Sequence, residues 1–139
     1  MTPPGPRRHN GAVLVVDAAN VIGSRPTGWW RDRAGAAGTF VGRVVAAVAA
    51  GGLEPGVTVV VEGAARRGVA AGCAGPGVEV VHAAGAGDDT IVAVATAAAD
   101  AGPVRVVSAD RGLRGRLAPF GVEAVGPSWL WDRIDPAAP

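Results

Sequence analysis

Three groups of acids stand out in a chain otherwise rich in alanine, glycine and valine. Asp17 ends the apolar run Ala12–Val16, Asp110 closely follows the run Val104–Val107, and Asp88 and Asp89 precede a helix-like alanine/valine segment. Carboxylates at the ends of buried strands, with another pair at a helix start, suggest a divalent-metal site. Two like charges about 5 Å apart repel by about 3 kcal/mol at an effective dielectric near 20. Several such pairs in one place take up protons or hold a cation. Oxygen-only ligation suits Mg2+ or Mn2+ with several waters retained. Such an ion acidifies a bound water and neutralises charge on a phosphoryl group.

Each group also has a plainer explanation. In Asp17-Ala-Ala-Asn20, the asparagine is one of only two in the chain. It suits a hydrogen bond to water or phosphate, or orientation of Asp17; the alternative is an Asx turn that shapes the loop. An Asp after a hydrophobic strand also begins the phosphotransfer motif of haloacid-dehalogenase-type enzymes. That motif needs a second acid two residues on, where this chain has Ala19, which argues against an aspartyl-phosphate mechanism. Asp88 and Asp89 favour a helix N-terminus through capping and the helix dipole, but two adjacent acids exceed what capping requires. Ser108-Ala109-Asp110-Arg111 reads either as a site or as a helix cap. Glu62, closing another strand, reads either as support behind the metal ligands or as a solvated loop residue. His82 reads as structural.

Arginines flank the same region. Arg111 follows Asp110 and Arg114 lies one turn on. Arg31 and Arg33 stand at the start of a long helical segment, just after Trp29 and Trp30. Indole and guanidinium groups together suit stacking and phosphate contact with single-stranded nucleic acid. The alternative is that the tryptophans pack that helix against the body. No glycine-rich P-loop with lysine is present, so cradling of ATP is unsupported.

Five short β-type runs stand out, at 12–17, 57–62, 78–82, 104–109 and 122–125, and most are continuous Val-rich stretches rather than alternating ones, as expected for strands buried on both faces of a parallel sheet. Helical spacing over 32–50 places Ala37, Val41, Val44, Val45 and Val48 on one stripe, and Gly51-Gly52 ends it. Further helices are predicted at 88–101, 111–118 and 127–134; the Gly/Ala-rich stretch 63–77 reads as a short helix near 64–71 or as a loop. The alternation of strands and helices predicts a three-layer α/β/α sandwich around a parallel five-stranded sheet. In such sheets function gathers beyond the carboxyl ends of the strands, where Asp17, Glu62, His82 and Asp110 fall.

At 139 residues, 49% of them hydrophobic, one domain over 11–135 is expected, with tails at 1–10 and 136–139. All 13 basic residues are arginine and the net charge is +1, so nucleic-acid binding would need a local patch. The single Cys73 excludes an internal disulfide and fits a reducing cytoplasm. One cysteine and two histidines cannot build a Cys/His zinc site within the chain. No apolar run approaches the roughly 18–20 residues that span a bilayer. The first residues lack the apolar stretch of a signal peptide. A cytoplasmic protein without a membrane partner is expected, and a homodimer stays open.

Val16-Asp17-Ala-Ala-Asn20-Val21-Ile22, Gly87-Asp88-Asp89-Thr90-Ile91 and Val107-Ser108-Ala109-Asp110-Arg111 together resemble the NYN branch of PIN-like nucleases. The three motifs occur in family order across about residues 12–126. The resemblance implies a parallel sheet in strand order 3-2-1-4-5, which sets strands one and four side by side and brings Asp17 to Asp110. It also implies metal-dependent hydrolysis of RNA, with Asp17, Asp88, Asp89 and Asp110 at the acidic positions and Asn20 on the asparagine of the first motif. Arg114 stands where some members carry a further acid. On this reading the four aspartates hold Mg2+ or Mn2+, and Asn20 positions water or phosphate. Ser108, Arg111, Arg114, Arg31 and Arg33 contact single-stranded RNA, and Glu62 stands behind the ligands. A PIN-like module that binds RNA or protein without turnover, and a metal-dependent phosphatase or nucleotide hydrolase, are the alternatives.

Overall fold

A computed structural model describes residues 12–135; the tails expected at 1–10 and 136–139 lie outside the described residues. The expected strands form as β1 (Val13–Asp17), β2 (Val57–Val61), β4 (Val78–His82), β5 (Val104–Val107) and β6 (Glu123–Val125), with one addition, β3 (Gly72–Gly75). Helices α1 (Ala18–Gly23), α2 (Arg33–Ala50), α3 (Gly87–Ala99), α4 (Arg111–Leu117) and α5 (Pro127–Ile134) separate most of them.

The valine runs show why this is a three-layer sandwich. Successive strand side chains point to opposite faces. Val13 and Val15 of β1 enter one core while Val16 enters the other. Val57, Val59 and Val61 of β2 face the second core and Val60 the first; Val104 and Val106 of β5 part from Val107 in the same way. One core is closed by α3 and α4 through Ile91, Ala95, Leu113 and Leu117. The other is closed by α1, α2 and α5 through Val21, Phe40, Val44 and Leu130. Full burial of each valine contributes about 1.5–3 kcal/mol, so neither face can be left to solvent.

The sheet corrects the expectation of five all-parallel strands in order 3-2-1-4-5. It has six strands, in order β3-β4-β2-β1-β5-β6. β1 pairs in parallel with β2 and β5, β4 with β2, and β6 with β5. The added β3 runs antiparallel to β4, with its register shifted between Cys73 and Gly75. Its sequence, Gly-Cys-Ala-Gly, carries no β-branched or aromatic residue. It pairs because the turn through Gly77 folds it back on β4, not because of intrinsic strand preference. The five expected strands keep their relative order, and β1 and β5 are neighbours at the centre.

Two local features bear on the site. The helix α1 is not among those expected from periodicity, because six residues present no helical stripe; it forms because Asp17 caps it and Val21 and Ile22 are buried. The stretch 63–77 resolves into a 3-10 segment, Gly63–Gly68, packed on α2, followed by β3. A Cβ on Gly68 would collide with the Ala34 carbonyl, and one on Gly38 would lie 2.8 Å from the Gly68 oxygen. Glycine at both positions lets the two backbones meet.

Candidate active site at the carboxyl end of the sheet

Asp17 is the last residue of β1, 7% exposed. Its Oδ1 accepts the Asn20 N–H at 3.3 Å, which caps α1. Its Oδ2 accepts the Ser108 hydroxyl at 3.0 Å from the end of the neighbouring strand. Ser108 Oγ in turn accepts the Asp110 N–H at 3.2 Å, and Asn20 Oδ1 accepts the Ala109 N–H at 2.8 Å. One hydrogen-bonded unit therefore joins the first and third sequence motifs across the β1–β5 boundary. Asp110 turns its Oδ1 to the Leu113 N–H at 2.9 Å and caps α4. Both Asp17 and Asp110 thus do the structural job foreseen as the alternative, and each carboxylate keeps further lone pairs.

The second motif arrives from the other side. Asp88 and Asp89 occupy the first turn of α3, whose N-cap residue is Ala86. The cap itself is supplied by the residue that follows β2: Glu62 Oε2 accepts the Gly87 N–H at 2.5 Å. The structure divides the acidic pair. Asp89 is exposed and forms an ion pair with Arg116 of α4 at 3.0 Å. Asp88 is partly buried and faces the other acids.

Electrostatics registers this convergence. Burial pushes the Asp17 carboxyl above its ordinary pKa; hydrogen bonds from Ser108 and Asn20 oppose the rise, and the charges of Asp88 and Glu62 add to it. Asp88 is also raised, first by burial, then by Asp110 and Glu62, with Arg116 lowering it and Asp89 adding a smaller rise. Asp88 thus stands in repulsive reach of Asp17, Glu62 and Asp110, and Asp17 of Glu62, at one sheet end. Among the described residues, no three His, Cys, Asp or Glu side chains stand close enough to hold an ion between them as placed. The donor set is nevertheless all oxygen and under-neutralised. That chemistry fits a hard divalent cation held in part through water.

The other expected site residues separate. Ser108 was expected to contact substrate; it is fully buried, so its hydroxyl positions Asp17 instead. Arg114 donates from Nε to the Ser108 carbonyl at 2.8 Å, which commits part of its guanidinium to bracing the turn after β5. Arg111 is exposed beside Asp110. Arg31 and Arg33 lie over Trp30 and Trp29, with guanidinium-to-ring distances of 5.8 and 5.4 Å. His82 Nε2 is bonded to the Val69 carbonyl at 2.8 Å. Arg116 went unnoticed in the sequence, although it lies within the arginine-rich helix that begins at Arg111. A cavity of about 380 Å³ lies at the opposite end of the sheet among Leu14, Leu53, Pro103 and Trp129, away from the acids. A smaller one of about 290 Å³ adjoins them, lined in part by Ala18, Trp29, Arg33 and Glu62.

No family model matches the chain, and no curated protein does. Among solved structures it is similar to the crystal structure of Rae1 (YacP) from Bacillus subtilis. The TM-score is 0.71 at 19% identity, covering 89% of this chain and 74% of that one. A tryptophan-to-leucine mutant of the same protein gives 0.67 at 18% identity, covering 90% and 76%. At such identity the likeness is one of fold: a mixed α/β sandwich with a mostly parallel sheet.

Proposed function

We infer that this chain is a PIN-like ribonuclease of the NYN branch, dependent on Mg2+ or Mn2+ and acting on single-stranded RNA in the cytoplasm. The observation that carries the reading is the gathering of Asp17, Glu62, Asp88 and Asp110 at one end of the sheet, where Ser108 joins Asp17 to the Asp110 turn and Glu62 holds the start of the Asp88 helix. Asp17, Glu62 and Asp110 each cap a helix, but capping does not require that Asp88 be gathered beside them, and like charges brought together raise one another's pKa unless positive charge joins them. The side-by-side placement of β1 and β5 supports the family order of the parallel strands. No helix of the described residues is long and apolar enough to cross a membrane.

Asp17, Asp88 and Asp110 would hold the cation directly or through water, with Asp89 nearer the rim because Arg116 already engages it. The ion, when bound, supplies acidification of water and neutralisation of phosphoryl charge. The protein's own contribution is placement. Ser108 and the Asn20 backbone fix both oxygens of Asp17, so this carboxylate meets the substrate without reorganising. Asn20 locks α1 to the turn after β5 and orients the first motif against the third. Glu62 anchors the start of α3 and so sets where Asp88 stands. Arg111, exposed beside Asp110, would hold a backbone phosphate.

One observation favours a second reading, a module that binds RNA or protein without turnover: the described acids do not close on a common point. The test compares Mn2+-dependent turnover of single-stranded RNA, single-stranded DNA and free nucleotides by purified protein, with Asp110→Asn as control. Cleavage of RNA lost in Asp110→Asn supports the nuclease. Binding of RNA without cleavage under Mg2+ or Mn2+ supports the module. Hydrolysis of free nucleotides alone replaces both with a small-substrate phosphohydrolase.

A further inference from the structure

The cavity beside the acids has the features of a recognition pocket for an unpaired base. It is bounded on one side by Trp29, with Ile22 and Ala36 as apolar walls, and it reaches Glu62 and Gly85 at the edge of the acidic cluster. Its volume of about 290 Å³ lies just below the range for drug-sized ligand pockets, about 300–1,000 Å³. The wall is built for a flat ligand. Gly28, at φ +77°, starts a 3-10 turn, Trp29–Arg31, that sets two indoles edge to face at 6.1 Å. Trp29 packs partly against the core, so it forms a fixed wall. Trp30 is 53% exposed beside it. Arg33 lies over the Trp29 ring and brings a positive charge to the same mouth.

We propose that the Trp29 pocket receives one unpaired nucleobase of the strand whose backbone crosses the neighbouring acids. The proposal rests on the nuclease reading for its backbone path, but the pocket itself is a binding site and can be tested by binding. The pocket shares Ala18 and Ala19 with the segment just after Asp17, and Glu62 with the acidic cluster. A base seated there leaves its own phosphate within reach of the acids. A second cavity, about 320 Å³, shares Ile22, Trp29 and Ala36 with it and is also lined by Arg25 and Arg43, both ion-paired to Asp135. A base in a walled pocket cannot be paired at the same time, so the substrate must be single-stranded where it is cut. Stacking on an aromatic wall is tolerant of base identity, while Glu62 at the pocket edge is an acceptor suited to an exocyclic amino group.

The test is a cycle between protein and ligand. Fluorescence anisotropy in EDTA measures binding of a labelled eight-nucleotide RNA and of the same RNA with one abasic position, moved along the strand. For wild type, one position should weaken binding about tenfold when its base is removed. In Trp29→Ala, intact and abasic strands should bind alike. Trp29→Phe, which keeps most of the packing, should keep part of the difference. Ala36→Leu should fill the cavity and abolish it, with folding of each variant checked by urea denaturation. Discrimination that persists unchanged in folded Trp29→Ala and Ala36→Leu overturns the pocket. Absence of any abasic position that matters in wild type overturns it too, as does failure to bind RNA. A parallel Mn2+ cleavage assay separates the two ideas. Cleavage without Trp29-dependent discrimination refutes the pocket and leaves the nuclease standing; discrimination without cleavage does the reverse.

Discussion

Ser108→Ala isolates the contact that ties the first motif to the third. The hydroxyl is fully buried, donates to Asp17 Oδ2 at 3.0 Å and accepts the Asp110 N–H at 3.2 Å. Its removal leaves a buried carboxylate with one fewer donor. A hydrogen bond to a charged group contributes about 1.5–3 kcal/mol, and a neutral one about 0.5–1.5 kcal/mol. The Asp110 N–H lies near the surface and recovers part of its loss from water. The expected cost at pH 7 is therefore about 2 kcal/mol, or about 7 °C in Tm for a chain of this size. The cost must depend on pH. The Asp17 carboxyl already titrates above its ordinary value because of burial, with Ser108 holding it down. The variant raises it further. As pH falls through the folded pKa of Asp17, the carboxyl becomes neutral in both proteins and the cost should shrink to about 1 kcal/mol. Urea unfolding in EDTA at pH 7 and near pH 3.5 measures this. In a cycle with Asp17→Asn, the Ser108→Ala cost at pH 7 should fall by about 1 kcal/mol or more. A destabilisation that is the same at both pH values, with no coupling to Asp17→Asn, refutes the reasoning.

Asp17→Asn should abolish Mn2+-dependent cleavage yet leave metal-free protein at least as stable at pH 7, because asparagine caps α1 as well as aspartate does and the repulsion disappears; differential scanning calorimetry in EDTA checks it. Asp17 and Asp88 both have raised folded pKa values, so their contribution to stability is fully present below the unfolded pKa and is lost as pH rises through the folded ones. Part of that loss should be absent in Asp17→Asn when unfolding is followed across pH. Asp88→Asn should depress cleavage far more than Asp89→Asn, since Arg116 holds Asp89 at the exposed rim; equal losses in single-turnover assays would contradict that division. Mn2+ at one hundred times its Kd should stabilise wild type by about 2.7 kcal/mol and Asp17→Asn much less, as read by thermal shift. Gly68→Ala should destabilise by about 1–3 kcal/mol or more in urea unfolding, because the Ala34 backbone occupies the space of its Cβ.

Much of the fold was legible because valine repeats so plainly. Runs such as Val57–Val61 have no polar face, and a strand without one must lie between two layers. The stripe from Ala37 to Val48 and the stop at Gly51 likewise specify α2 from local chemistry alone. Asp17, Asp88 and Asp110 were legible as candidates because acids at strand ends and helix starts lie at predictable places in such a sheet. The strand β3 was not legible, since Gly-Cys-Ala-Gly becomes a strand only when β4 offers an edge to pair with. Nor was α1, whose few residues need the Asp17 cap and the core beneath Val21 to stay helical. The division of labour within the site was also hidden. Ser108 and Asp110 look equally polar in the chain, yet one lies buried behind Asp17 and the other exposed at the start of α4. Asp88 and Asp89 are neighbours in sequence, but a helix turns successive side chains by about 100°, so one faces Asp17 and Glu62 while the other meets Arg116. Residue type and spacing determined which groups gather at the carboxyl end of the sheet. Only the packing of α3 and α4 against β1 and β5 decided their contacts, because burial and hydrogen-bond partners depend on residues far apart in the chain.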